Sequence, residues 1–321
     1  MGTPRRPGPA AAVLAGAGLL LAAATAAAQT LPDTVRIGAP GLHPEGIEWD
    51  APRERFLVGS ITRGTVTAVR DDGSLDTLVA DPAITSSIGI HVDRERGRLL
   101  VADADLAAVQ GGGPGHARLG IYDLESGERI RHVDLGGLRP GGRHFANDLT
   151  SGPDGTVYVT DSFTPVVYRV PPDGEPAVLA EDTLLGHDRF GLNGIVRHPD
   201  GFLLAAVSGP RRLVRIPLDA PAELEEVALS EPFAADGMVL AEDGTLVAVA
   251  TTGSGEDQRS EVLRVRSSDG WVSAEIVGRA PAPGATTAAL RDEAIYVVNP
   301  RFDAMGGPEP AASFPIYRVR P

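Results

Sequence analysis

The feature that most restricts what this chain can fold into is a turn that keeps returning in phase. Pro153-Asp154-Gly155, Pro199-Asp200-Gly201 and Glu242-Asp243-Gly244 carry it, and "DAPRERF", "DRERGRL" and "RDEAI" are looser copies. After each comes a run that reads as a buried strand: "RFLVGSI", "RLLVADA", "TVYVTDS", "FLLAAVS", "TLVAVAT", "AIYVVNP". A loop and a second run follow: "TVTAVR", "LGIYDL", "VVYRVP", "RLVRIPL", "EVLRVR", "PIYRVR". In five of the six copies a third run comes next: "LDTLVA", "RIRHVDL", "AVLA", "LEEVAL", "SAEIVG". A short apolar run also precedes each turn: "GIEWD", "GIHVD", "DLTSG", "GIVRH", "GMVLA", "TAALR". Four strands per repeat and six repeats predict an all-β chain, a six-bladed β-propeller. The sixth repeat ends at "PIYRVRP" without a fourth strand, while "DTVRIGA" near the start is spare. Adding that strand to the last blade would close the ring and cover an open edge. A β-sandwich does not explain six repeats in phase.

Residues 1–28 lie outside the pattern and read as a signal peptide. "MGTPRR" is a basic head, an Ala- and Leu-rich stretch follows, and Ala26-Ala27-Ala28 offers a small-residue cleavage site before Gln29. A membrane anchor is the alternative, but an Ala-rich run that ends in small residues suits cleavage better. Arg5-Arg6 is a faint hint of twin-arginine export. The expectation is one propeller domain, 29–321, exported to a periplasm or secreted and free of the membrane after cleavage. With no Cys in 321 residues, no disulfide supports it and no thiolate chemistry is open to it. All 29 basic residues are Arg, which removes Schiff-base chemistry and the P-loop lysine. Without Arg5 and Arg6, 27 arginines stand against 43 acids, a net charge of −16. Such a body repels nucleic acid and suits a cation or a neutral small molecule.

Counting back from each turn to the start of the run before it brings six residues into register: Glu45, Ile88, Asn147, Asn193, Asp236 and Thr286. The first strand of a propeller blade lines the central channel, so residues in register converge on one axis. Four of the six carry carboxylate or amide oxygens, with no His or Cys among them. An all-oxygen set suits a hard cation, above all calcium; zinc, manganese and magnesium are the other divalent ions to consider. The two acids add to −2, which balances such an ion, and without one they would repel each other. Gly194 and Gly237 allow close backbone approach.

"HPEGIEW", "FANDLTSGPDGTVYVTD", "LNGIVRHPDG" and "ADGMVLAEDGTL" resemble the regucalcin/gluconolactonase family of six-bladed propellers, relatives of the paraoxonases. The resemblance spans essentially the whole chain after the leader. It implies one divalent metal held by Glu45, Asn147, Asn193 and Asp236, and lactone hydrolysis with Asp236 as catalytic base. Three positions depart. Gly46 stands where paraoxonases have an acid of a second calcium site, although Asp148 is present. Ile88 stands where they have a histidine. Phe145 stands where the sugar-lactone enzymes have an arginine.

The activity implied is metal-dependent hydrolysis of a lactone or related ester. The alternative is a non-catalytic, calcium-stabilised propeller that binds a small ligand or a protein. His144 and His91 are candidate proton shuttles. Phe145, Phe163, Phe190 and Phe302 could build an apolar wall on loops over the metal face. Asp103 and Asp161 end strands and read as turn residues. No G-x-S-x-G occurs, and Gly111-Gly112-Gly113 lacks the following helix of a phosphate loop.

Overall fold

Strands begin and end where the turn chemistry predicts. Gly155, Gly201 and Gly244 take φ of 84°, 88° and 79°, values that favour glycine and return each first strand into its second. The computed structural model describes residues 1–4, 8, 31–188 and 190–321, so the leader expected over 1–28 lies almost wholly outside the described residues. Among them, Pro32–Pro321 form the folded body. It is all-β apart from one short α-helix, Leu106–Gln110, and isolated 3₁₀ turns. No helix among the described residues is long and apolar enough to cross a membrane.

The first strands of the repeats are Pro44–Asp50, Ser86–Asp93, His144–Ser151, Leu192–His198, Ala234–Leu240 and Thr287–Arg291. Each packs against the next, and the last returns to the first, so they form a closed, propeller-like ring. Each first strand pairs antiparallel with a second, which pairs with a third. Layers of Val, Leu, Ile and Ala between neighbouring sheets make the core. One such layer joins Leu204, Ala206 and Phe202 to Leu246, Ala248 and Leu263.

Hydrogen bonding does not divide the ring into six separate sheets. Three four-stranded sheets stand alone. The second and third repeats merge into one eight-stranded sheet, because His144 and Phe145 pair in parallel with Gly115 and His116. The fourth repeat's outer run, expected as one strand, is cut in two. Glu225–Glu226 stays with its own repeat, and Ala228–Leu229 pairs in parallel with Ser273 and Ala274 of the fifth. The spare N-terminal strand, Thr34–Ile37, pairs antiparallel with Phe314–Val319 and covers the last open edge.

Candidate functional site

The six residues in register do not begin their strands, as the sequence reading had it; five sit inside them, in β-bulges. Glu45-Gly46 opposes Gly59 alone, Ile88-Gly89 opposes Ala102, Asn147-Asp148 opposes Thr160, Asn193-Gly194 opposes Ala206, and Asp236-Gly237 opposes Val249. A bulge sets two residues against one and re-aims a side chain, which is how an inner strand can turn a polar group to the axis. The sixth repeat has no bulge, and Thr286 precedes its strand.

The second residue of each bulge seats against the next repeat. A Cβ on Gly46 would fall 2.5 Å from the Ile88 carbonyl oxygen, and one on Gly89 2.6 Å from that of Asn147. Gly194 is packed in the same way on Asp236. Gly237 N donates to Thr286 O at 2.8 Å, and Thr286 Oγ1 donates to Glu45 O at 2.8 Å, which completes the circle. Asp148 is the acidic exception at these positions. Its carboxylate accepts from Leu149 N at 2.8 Å and Ile195 N at 3.1 Å.

The two amides are oriented by serines that the sequence reading missed. Ser162 Oγ donates to Leu192 O at 2.7 Å, so its single proton is used and it can only accept from Asn147 Nδ2, at 3.0 Å. One repeat on, Ser208 Oγ donates to Ala235 O at 2.9 Å and accepts from Asn193 Nδ2 at 3.1 Å. Both amide nitrogens are thereby assigned, and both carbonyl oxygens are left for another partner. Asn193 Oδ1 is buried and has none. The signal was present in the sequence as a shared spacing of fifteen residues, Asn147 to Ser162 and Asn193 to Ser208.

The acids are placed differently. Burial pushes the Glu45 carboxyl well above the usual range, and the charges of Asp236 and Asp148 add to the shift. Burial likewise pushes Asp236 up to about 7, with Asp148 raising it further and a hydrogen bond from Asn193 pulling against it. Asp148 is also pushed up to about 7 by burial, against its two backbone donors. No cationic side chain figures among the groups acting on Glu45 or Asp236. Among the described residues no three His, Cys, Asp or Glu side chains stand together as a metal-holding group. The ring has two such acids and completes its oxygen set with amides. A divalent cation fits this set on two observations: a buried carbonyl oxygen without a donor, and two crowded acids without a counter-charge.

Below the ring a channel of about 250 Å³ runs between the first strands, lined by Glu48, His91, Asp148, Ser151 and Arg197 among others. His91 belongs here, three residues beyond Ile88 and not at the ring. Its Nδ1 lies 2.9 Å from Glu48 Oε1 and its Nε2 3.2 Å from Ser151 Oγ. Burial alone would lower its pKa, but the hydrogen bond and charge of Glu48, helped by Asp148, outweigh it and raise it. His144 is buried, with Nδ1 2.7 Å from Asp161 Oδ2 and Nε2 3.0 Å from Arg139 O. Each ring nitrogen thus faces an oxygen acceptor, and the hydrogen bond to Asp161 raises the histidine's pKa against burial.

Asp161 caps the turn that follows its strand, as expected of a turn residue, whereas Asp103 takes its partners from distant segments. Both are fully buried, opposite Ser87 and Ala146 in equivalent places of neighbouring repeats. Asp161 accepts from Phe145 N at 3.0 Å, Phe163 N at 3.1 Å, Thr164 N at 3.2 Å and Tyr168 Oη at 3.1 Å. Asp103 accepts from Thr85 N at 2.8 Å and stands 3.2 Å from His116 Nε2 and 3.5 Å from His132 Nε2.

Three of the four expected phenylalanines meet. Phe145, Phe163 and Phe190 stand edge to face, with centroids 6.1, 6.1 and 5.7 Å apart. Phe302 is 46% exposed and takes no part; Met305, from the same loop, packs on the cluster instead.

No family model and no curated protein matches the sequence. Solved structures do match the fold. The chain is similar to the major allergen Mala s 1 of Malassezia sympodialis, with a TM-score of 0.74 and 20% identity over 91% of this chain and 97% of that one. It is similar to XC5397 of Xanthomonas campestris, a gluconolactonase, with a TM-score of 0.58 and 19% identity over 90% and 91%. It is also similar to a calcium-binding regucalcin of Agrobacterium tumefaciens, with a TM-score of 0.59 and 19% identity over 89% and 94%. The families that the sequence motifs resemble are thus among its structural neighbours, and at these identities the likeness speaks for the fold.

Proposed function

We propose that this chain is a six-bladed propeller of the regucalcin/gluconolactonase kind, exported by its leader, that hydrolyses lactones or related esters with one divalent metal ion, calcium above all. Each antiparallel meander counts as one blade in this reading, with the N-terminal strand completing the sixth. One observation carries the proposal. Four of the five in-phase bulges bring two amides and two acids to one ring, with the amides oriented and the acids short of a counter-charge. Glu45, Asn147, Asn193 and Asp236 would hold the ion. When bound, it would supply Lewis-acid polarisation of the substrate carbonyl.

The rest is the work of the chain. Asp236 accepts the proton of an attacking water as its oxygen bonds to the acyl carbon. The carbon–oxygen bond to the leaving alkoxide then breaks, and that proton passes to the alkoxide, so a lactone yields a hydroxy acid. Asn147 and Asn193 keep their oxygens in place through Ser162 and Ser208. His144, tied at both nitrogens, positions the Phe145 lead-in. His91 serves the channel. The gluconolactonase and regucalcin neighbours support this reading.

A second reading is a metal-stabilised binding propeller without catalysis, because the same oxygen ring would equally serve to tie the repeats together around an ion. A panel of lactones and aryl esters, assayed with calcium and with chelator, separates the two. Turnover that calcium restores supports the hydrolase. Calcium-dependent stability without any turnover supports the binding module.

A further inference from the structure

We propose that the substrate carries an apolar chain or ring, and that it lies over the second to fourth repeats with its reacting carbonyl above the ring. This rests on the hydrolase reading and deepens it. The ring is chemically lopsided. Ile88 is its apolar member, buried at the axis between the oxygen-bearing Glu45 and Asn147. In ring order it stands three places from Asp236, on the far side. Ile88 also packs in one apolar cluster with Phe145, and Phe163, Phe190 and Met305 are its partly buried outer members, so axis and wall are joined by continuous apolar packing.

The wall is built into the leads of the ligand strands. Phe145 precedes Asn147 by two residues and Phe190 precedes Asn193 by three. Ser162, which holds the Asn147 amide, donates its N–H to Phe145 O at 2.9 Å and accepts from Gly191 N at 2.8 Å. Asp161 gathers the Phe145 and Phe163 N–H groups on one carboxylate. Phe145 is buried, but Phe163 and Phe190 are half-buried. The guanidinium of Arg143 covers one face of Phe163, 4.4 Å from the ring centroid. An ordered aromatic surface left partly open beside a polar ring fits a ligand with one polar reacting end and an apolar remainder. A polyhydroxylated lactone would find no hydrogen-bonding side chain at Phe145, Phe163 or Phe190.

The test is a series of γ-lactones substituted at the γ carbon with hydrogen, ethyl, butyl and hexyl, with glucono-δ-lactone as the polar member, all at saturating calcium. A fully buried methylene is worth about 0.8 kcal/mol, so kcat/KM should rise by up to about fourfold per added methylene until the wall is covered. Phe163→Gln and Phe190→Ser, at half-buried positions that tolerate change better than Phe145, should flatten that slope, read as the ratio of hexyl to unsubstituted lactone. Hydrolysis with a flat slope, or with glucono-δ-lactone preferred, overturns the apolar wall and leaves the hydrolase standing. If no lactone or ester is turned over, the hydrolase reading fails, and calorimetry with γ-type alkyl cyclopentanones decides the wall. Affinity that climbs with chain length upholds it, and affinity indifferent to chain length overturns it.

Discussion

The two amides and the two acids of the ring are set in the same kind of bulge and held by opposite means. Asn147 and Asn193 are each anchored through a serine to the carbonyl of the following repeat. Their geometry is complete before any ion arrives. Glu45 and Asp236 have no such anchor: burial and the charge of Asp148 hold both above the usual carboxylate range, and Asp236 is relieved only by a hydrogen bond from Asn193. The amides therefore supply preorganisation, while the acids supply charge that is costly until it is balanced. On the proposed reading, affinity for a cation would rest on one pair and precision on the other.

The largest effect that would break this comparison is chemical. Asp236→Asn turns an acid into an amide at one of the acid positions. It should still bind calcium, and it should lose hydrolysis by at least about 10²-fold at saturating metal, the usual worth of a placed proton acceptor. Glu45→Gln should weaken calcium binding and recover most activity when calcium is raised. Near-normal turnover by Asp236→Asn would reduce Asp236 to a ligand and leave the base elsewhere.

Next is removal of the metal. An ion at a hundredfold excess over its Kd adds about 2.7 kcal/mol, which for a body of this size is a Tm change of roughly 5–10 °C. Chelator should lower the melting curve and calcium restore it. In chelator the Glu45→Gln variant should melt at or above the parent, because it relieves an acid buried without a counter-charge. A parent curve indifferent to chelator would remove the metal reading.

A third test uses pH. In the metal-free protein Glu45, Asp236 and Asp148 hold protons more tightly folded than unfolded, so their contribution to stability is fully present below the ordinary carboxylate range. It declines as pH rises through about 7, where Asp236 and Asp148 release theirs. Melting in chelator from pH 5 to 8 should follow that fall, and calcium should flatten it. Stability that climbs across this window in chelator contradicts the crowding of the acids.

The smallest effect sharpens the amide side. Ser162→Ala or Ser208→Ala removes a hydrogen bond worth about 1 kcal/mol, so calcium should bind roughly fivefold more weakly in each. Unlike Glu45→Gln, each should also melt lower in chelator, since it leaves an amide and a carbonyl short of a partner. Calcium affinity unchanged from the parent in both serine variants would show that the amide orientation is not what the serines provide.

Much of this was legible in residues. The Asp-Gly turns mark the repeats because glycine meets a positive φ at each return. The spare "DTVRIGA" could be placed because a missing fourth strand leaves an edge that must be covered. The bulges were not legible. Two residues opposing one look, in sequence, like two ordinary strand residues, and only the glycine after Glu45, Ile88, Asn193 and Asp236 hints at the close approach. Asp103 was misread as a turn residue because its partners, Thr85 N, His116 and His132, lie far off in sequence. The fusion of the second and third repeats depends on where the Gly111-Gly112-Gly113 loop returns, which local propensity does not encode.

The pairing of Thr34–Ile37 with Phe314–Val319 also has a mechanical side. Thr34 lies opposite Tyr317, and Asp33 is bonded to both Arg318 N and Arg320. The incoming end of one strand and the outgoing end of the other therefore sit at the same end of a short antiparallel ladder. Tension applied between residues 32 and 321 would peel that ladder rung by rung instead of sliding all its hydrogen bonds at once. The closed ring thus has a seam, and pulling on the two ends of this ladder should release the Thr34–Ile37 strand before any other part of the wheel yields.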